Sequence, residues 1–238
     1  MKTHHVLCLL LATATVVRAD EPPPFEPTKN YEIRKCEGWT VMVHPALAKE
    51  QPELLERTML LLGNQLYQID RMVPADAVAK LRQVKVWIEN FDKHHECMCY
   101  HPDPGWLRRK KLNPDKARGI EIAHPTNFLK WTREQPWMVF HELAHAYHDQ
   151  VLEGGYGNKE IAAALIRAKE SKKYESVLHI NGRTRKHYAL TDPMEYFAEA
   201  SEAYFGTNDF FPFVRSELKQ HDPDMYELLG KLWGMKQP

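Results

Sequence analysis

Two histidines one helical turn apart, with a glutamate between them, are the residues of this chain best suited to chemistry. They lie in Trp137-Met138-Val139-Phe140-His141-Glu142-Leu143-Ala144-His145-Ala146-Tyr147-His148-Asp149. Positions i and i+4 project from one side of a helix, so His141 and His145 can aim imidazole nitrogens at a single ion. Two neutral imidazoles suit Zn²⁺, which accepts a tetrahedral N/O set and leaves one position for water. Glu142 points to the rim of the same site, where a carboxylate can take a proton from water and later return it to a leaving amine. His148, seven residues after His141, is expected beside the site rather than on the ion, as an outer hydrogen-bonding group or a substrate contact. Asp149 reads as an orienting partner or a surface residue.

A catalytic zinc needs a third protein donor. The segment Asp192–Phe205 offers one: Met194, Phe197, Ala198, Ser201 and Phe205 form an apolar stripe, and Glu195, Glu199 and Glu202 line an adjacent polar face. Glu195 is the expected ligand. Glu199, one turn later, is expected to accept a hydrogen bond from the far nitrogen of a ligating histidine and so fix its tautomer. A structural use competes for Glu195, because Asp192 and Glu195 have the spacing of a capping box.

These side chains need elements to hold them. Phe140, Leu143, Ala144, Tyr147 and Val151 give the histidine helix an apolar back, with Pro136 suited to its start and Gly154-Gly155 to its end. The spacing predicts further helices over 53–72, 158–170, 192–206 and 222–233. Strands are expected in 31–43, broken at Glu37-Gly38, in 84–88 and in 119–123, with a long polar loop between the last two. Strands feeding helices make this an α+β chain, with a small mixed sheet in the N-terminal half and a mostly helical C-terminal half.

The chain has 32 Lys+Arg against 32 Asp+Glu, 43% hydrophobic residues and 13 His. Zero net charge provides no long-range field for a polyanion, which argues against nucleic acid as a partner and against stable membrane association. Residues 1–19 have a basic start, a short apolar run and a small-x-small end at Val17-Arg18-Ala19, the pattern of a secretory signal peptide. The expectation is therefore a secreted or otherwise exported protein, periplasmic or extracellular. Residues 20–30, with four prolines, read as an extended lead-in, and 31–238 as a single, monomeric domain. Export favours a disulfide between Cys36 and either Cys97 or Cys99. The stretch His94–His101 could instead be a soft metal site, although its prolines and polar neighbours look like a surface loop.

His141-Glu142-Leu143-Ala144-His145, followed by Glu195-Tyr196-Phe197-Ala198-Glu199-Ala200, resembles the gluzincin metallopeptidases. Within them it is most similar to the group formed by the catalytic domain of anthrax lethal factor and its bacterial relatives. The resemblance covers about residues 137–206 and departs from the group's pattern at Ala144, where the toxin has glycine. It implies a zincin-like fold, a zinc endopeptidase activity on peptide or protein substrates, and His141, His145 and Glu195 as ligands. It also implies a catalytic tyrosine seven residues before the ligand glutamate, which is Tyr188. In such enzymes an edge strand aligns the substrate, and 119–123 is the segment expected to serve. Two alternatives stay open: Asp209 as third ligand, from a looser similarity to the aspartate-ligand zincins, and a non-catalytic zinc-binding exoprotein on the same scaffold.

Overall fold

The computed structural model describes residues 24–235, so the expected signal peptide over 1–19 lies outside the described residues. Strand β1 (Glu32–Cys36) turns at Glu37-Gly38 into β2 (Trp39–Val43). Both turn residues have positive φ, 48° and 88°, the left-handed pair that a two-residue hairpin of right-twisted strands requires. Three helices, α1 (Pro45–Glu50), α2 (Pro52–Met72) and α3 (Ala75–Leu81), carry the chain to β3 (Val86–Ile88). Then come β4 (Met98–Tyr100), α4 (Pro104–Arg109) and β5 (Ile120–Ile122). The sheet runs β1-β2-β3-β5-β4, with β2, β3 and β5 parallel and the two outer pairings antiparallel.

The C-terminal half is helical: α5 (Pro125–Trp131), α6 (Met138–Gln150), α7 (Lys159–Ser171), α8 (Pro193–Phe205), α9 (Arg215–His221) and α10 (Pro223–Leu232), interrupted by a small hairpin of β6 (Val177–Leu178) and β7 (Thr184–Arg185). Helices α6 and α8 pack against each other at the centre. Every residue of α8 from Tyr196 to Phe205 is buried, so the expected one-sided stripe gives way to a helix enclosed all round. Trp233, just after α10, locks the pair. Its ring stacks on Tyr147 of α6 at 4.1 Å and on Phe197 of α8 at 5.6 Å, and its indole N–H donates to Ser201 Oγ at 3.0 Å. Large side chains fully buried at this junction, such as Phe140, Leu143 and Phe197, each stabilise the fold by roughly 1.5–3 kcal/mol.

Within the lead-in, Asn113 donates to Glu26 O and Thr28 Oγ1, and Thr28–Asn30 form a short 3-10 turn. Three expectations are corrected. Residues 119–123 are not an edge, because β5 sits between β3 and β4; the edge on that side of the sheet is β4. The segment read as a polar loop contains β4 and α4. All three described cysteines are free thiols. Cys36 ends one edge strand, whereas Cys97 and Cys99 lie at the opposite edge of a five-stranded sheet. Four strand spacings separate them, roughly 19 Å, far beyond the ~7 Å a disulfide can bridge.

Candidate active site

Helix α6 begins without a side-chain cap of its own. Gln65, reaching across from α2, accepts the Val139 N–H at 3.1 Å and satisfies one of the unpaired amides at that end. Helix α8 starts from Asp192 and Pro193: the Asp192 carboxylate accepts from Met194 N at 2.8 Å and Glu195 N at 3.0 Å, and Pro193 supplies the preset φ of a first turn. Only this half of the capping box forms. The Glu195 side chain turns away from the backbone and toward α6.

There it meets both histidines. Glu195 Oε2 lies 3.0 Å from His141 Nε2 and 3.4 Å from His145 Nε2, and the two Nε2 atoms are 3.0 Å apart. One ligand atom from each of the three residues falls within 4.8 Å of the others. Burial disfavours the charged form of His141, but its hydrogen bonds to Glu195 and Glu202 outweigh this and hold its pKa well above the ordinary value. For Glu195, burial works to raise the pKa and the two imidazoles overcome it, leaving the carboxylate far below its usual range. The two shifts are one interaction seen from both partners, a protonated imidazole beside an ionised carboxylate.

The far nitrogen of His141 is held by Glu202 rather than Glu199. Nδ1 donates to Glu202 Oε1 at 2.7 Å, while Glu199 Oε1 is 3.8 Å away. Burial pushes the Glu202 carboxyl up to about 7, against the pull of His141. Glu199 is raised too, by burial first and then by Glu202 and Asp209. Glu202 was legible only as a member of α8's polar face; its seven-residue spacing from Glu195 puts the two on one side of the helix.

His148 is placed differently from expectation. It is fully buried, its ring nitrogens have no partner among the described residues, and it packs edge-on to Tyr156 at 5.1 Å and tilted against Phe197 at 5.1 Å. Two turns beyond His141 the α6–α8 interface has closed, so the ring meets core instead of cleft. Asp149 accepts the Tyr100 hydroxyl at 2.6 Å and so ties the end of α6 to the edge strand β4. Asp209 does not join the donor group of His141, His145 and Glu195; its carboxylate faces His179 Nε2 at 3.3 Å.

A cleft of about 450 Å³ opens over the three donors. Residues 97–100 along β4 form one wall, Tyr188 and Met194 approach from the α8 side, and Glu142 lines it beside His141. Tyr188 is 48% exposed in a 3-10 turn just ahead of α8, and burial and the neighbouring Glu195 push its hydroxyl pKa up, which keeps the proton on it.

No protein-family model and no curated protein matches the chain. Among solved structures it is similar to the Pro-Pro endopeptidase from Paenibacillus alvei, at 19% identity and a TM-score of 0.43, over 81% of this chain and 95% of that one. A second cleft of about 500 Å³ adjoins the first; Trp131, Gln135, Tyr188 and Glu199 line both, and His179 and Asp209 line the second. Among the described residues no helix is long and apolar enough to cross a membrane.

Proposed function

We propose that the chain is an exported zinc-dependent endopeptidase of the gluzincin type, acting as a monomer on peptide or protein substrates. The observation that carries this reading is the convergence of His141 Nε2, His145 Nε2 and Glu195 Oε2 at the floor of a cleft with an edge strand for one wall. The donor set fits the metal: two imidazoles and a carboxylate are a recurrent catalytic zinc set, and Glu202 orients His141 through the nitrogen not aimed at the cluster. When bound, Zn²⁺ supplies Lewis acidity that polarises a carbonyl and lowers the pKa of water toward ~7.

The chain's own residues supply the rest. Residues 98–100 of β4 offer backbone donors and acceptors to an extended peptide, which would add as a further strand and cross the cleft. Glu142 takes the proton from the attacking water and delivers it to the amine nitrogen as the peptide bond breaks. The Tyr188 hydroxyl, kept protonated, donates a hydrogen bond to the oxygen on which negative charge develops. The openness of the cleft along β4 suits a chain passing through, hence an endopeptidase.

The test is digestion of a diverse peptide library, with cleavage products identified by mass spectrometry. The wild-type protein should cut internal bonds; Glu142→Gln should keep its zinc and lose turnover. Tyr188→Phe should lower kcat on the order of 100-fold with zinc content unchanged. Undiminished hydrolysis by Glu142→Gln would sink the mechanism, and no cleavage by the zinc-loaded wild type at any pH would favour a non-catalytic zinc-binding protein.

A further inference from the structure

Behind the edge strand lies a second group of metal-binding side chains that the proposed peptidase chemistry does not use. Cys99 on β4 and Glu121 on β5 are register partners, and His101 follows Cys99 by two residues, the spacing that returns an extended chain to one face. His95 comes from the turn before β4. One ligand atom from each of His95, Cys99, His101 and Glu121 lies within 4.8 Å of all the others. Cys99 Sγ is 3.5 Å from His101 Nε2, and the same nitrogen is in direct contact with Glu121 Oε2. Zinc with bonds of ~2.0–2.3 Å to nitrogen, oxygen and sulfur holds tetrahedral donors roughly 3.2–3.8 Å apart, so this cluster needs only small shifts to enclose an ion.

Three further observations point the same way. Asp92 Oδ2 takes His95 Nδ1 at 3.0 Å, which fixes the tautomer and leaves the other ring nitrogen as the lone-pair donor. Lys116 Nζ binds Glu121 Oε1 at 2.7 Å and leaves Oε2 for the cluster, the arrangement of an outer partner holding a ligating carboxylate. Charge is also out of balance while the imidazoles are neutral: Glu89, Asp92 and Glu121 are buried around a single buried ammonium, Lys116, and the other bases beside them are His95 on Asp92, His101 on Glu121 and His44, 3.9 Å from Glu89. Buried anions need compensation, and a divalent cation provides it. A cleft of about 250 Å³ beside His95, His101 and Trp106 gives a way in.

We infer that His95, Cys99, His101 and Glu121 form a second, structural zinc site that staples β4 to β5 and to the turn before it. One thiolate and two imidazoles select zinc over magnesium or calcium, and four protein donors leave no position open for a reacting water. On binding, the ion displaces to solvent the thiol proton of Cys99 and the proton that His101 Nε2 and Glu121 Oε2 share.

Metal analysis and cobalt substitution test this independently of any peptidase activity. The purified protein should hold two zinc ions per chain, and the double variant His141→Ala/His145→Ala should retain one. Cobalt-loaded protein should show a thiolate-to-metal charge-transfer band, because only the second site contains sulfur. The band should persist in His141→Ala/His145→Ala and in Cys97→Ser and vanish in Cys99→Ser. A single zinc that disappears with the His141/His145 substitutions would overturn the site. So would a cobalt-loaded double variant without the band, which decides the matter even if Cys99→Ser fails to fold. A band that follows Cys97 instead of Cys99 overturns it as well.

Discussion

His141 is gripped at both ring nitrogens, by Glu195 on one side and Glu202 on the other, and this ranks the three glutamates of α8. Glu195 stands where a ligand would, Glu202 orients the ring, and Glu199 is set back at 3.8 Å. Removing an orienting partner of a zinc ligand lowers metal affinity about 10–100-fold. Glu202→Ala should therefore weaken zinc binding by that factor in a chelator competition, and Glu199→Ala by clearly less; equal losses would contradict the ranking. The spacing of His141 and His145 is local, so their common face, with Glu142 at its rim, could be read from the sequence. Which of Glu199 and Glu202 meets His141 depends on how α6 crosses α8, and no residue spacing records that. His148 shows the same limit: its helical phase suggests the site, while the neighbouring helix encloses it in the core.

At the level of elements, the ends of the helices were the most legible. Asn158 caps α7, and Pro52, Pro193 and Pro223 each stand in the first turn of their helices, where the missing N–H costs nothing. The start of α8 matters beyond the helix itself, because Asp192 binds the backbone of Glu195 and frees its side chain for α6. Asp192→Ala should cost about 0.5–2 kcal/mol of stability, read from the urea midpoint, and should also lower zinc affinity as Glu195 loses its anchor. A stability loss with metal binding untouched would mean that the cap and the site are independent. The sheet was less legible. Met98–Tyr100 is three residues long and sits among polar and proline residues, too short to show alternation, and strand order is a long-range property that moved the edge from β5 to β4.

Across the whole molecule, charge balance and buried imidazoles govern the response to pH. Burial and the nearby His145 push His148 down to about 4; burial, then His221 and His179, push His187 down to about 3. Unfolded histidine titrates near ~6.5, so between these values the unfolded chain binds more protons and stability falls as pH drops. Each group accounts for a loss on the order of 3–5 kcal/mol once the pH has passed its folded value. His141 in the metal-free protein works in the opposite sense, since its raised pKa adds stability at low pH that is lost as pH rises through that value. Urea unfolding measured from pH 7 to pH 4 should show a steady decline for the wild type and a shallower one for His187→Leu; superimposable profiles would assign the acid sensitivity to other groups.

His141 and Glu195 are 54 positions apart along the chain. An ion held between them exists only while that long loop is closed, and closure comes with the docking of α6 on α8 rather than with either helix alone. Zinc bound there would therefore act on the clock of the protein as well as on its stability: it should slow escape from the native state and leave the rate of reaching it unchanged. Stopped-flow unfolding with and without chelator should separate the two rates, with only the unfolding limb moving.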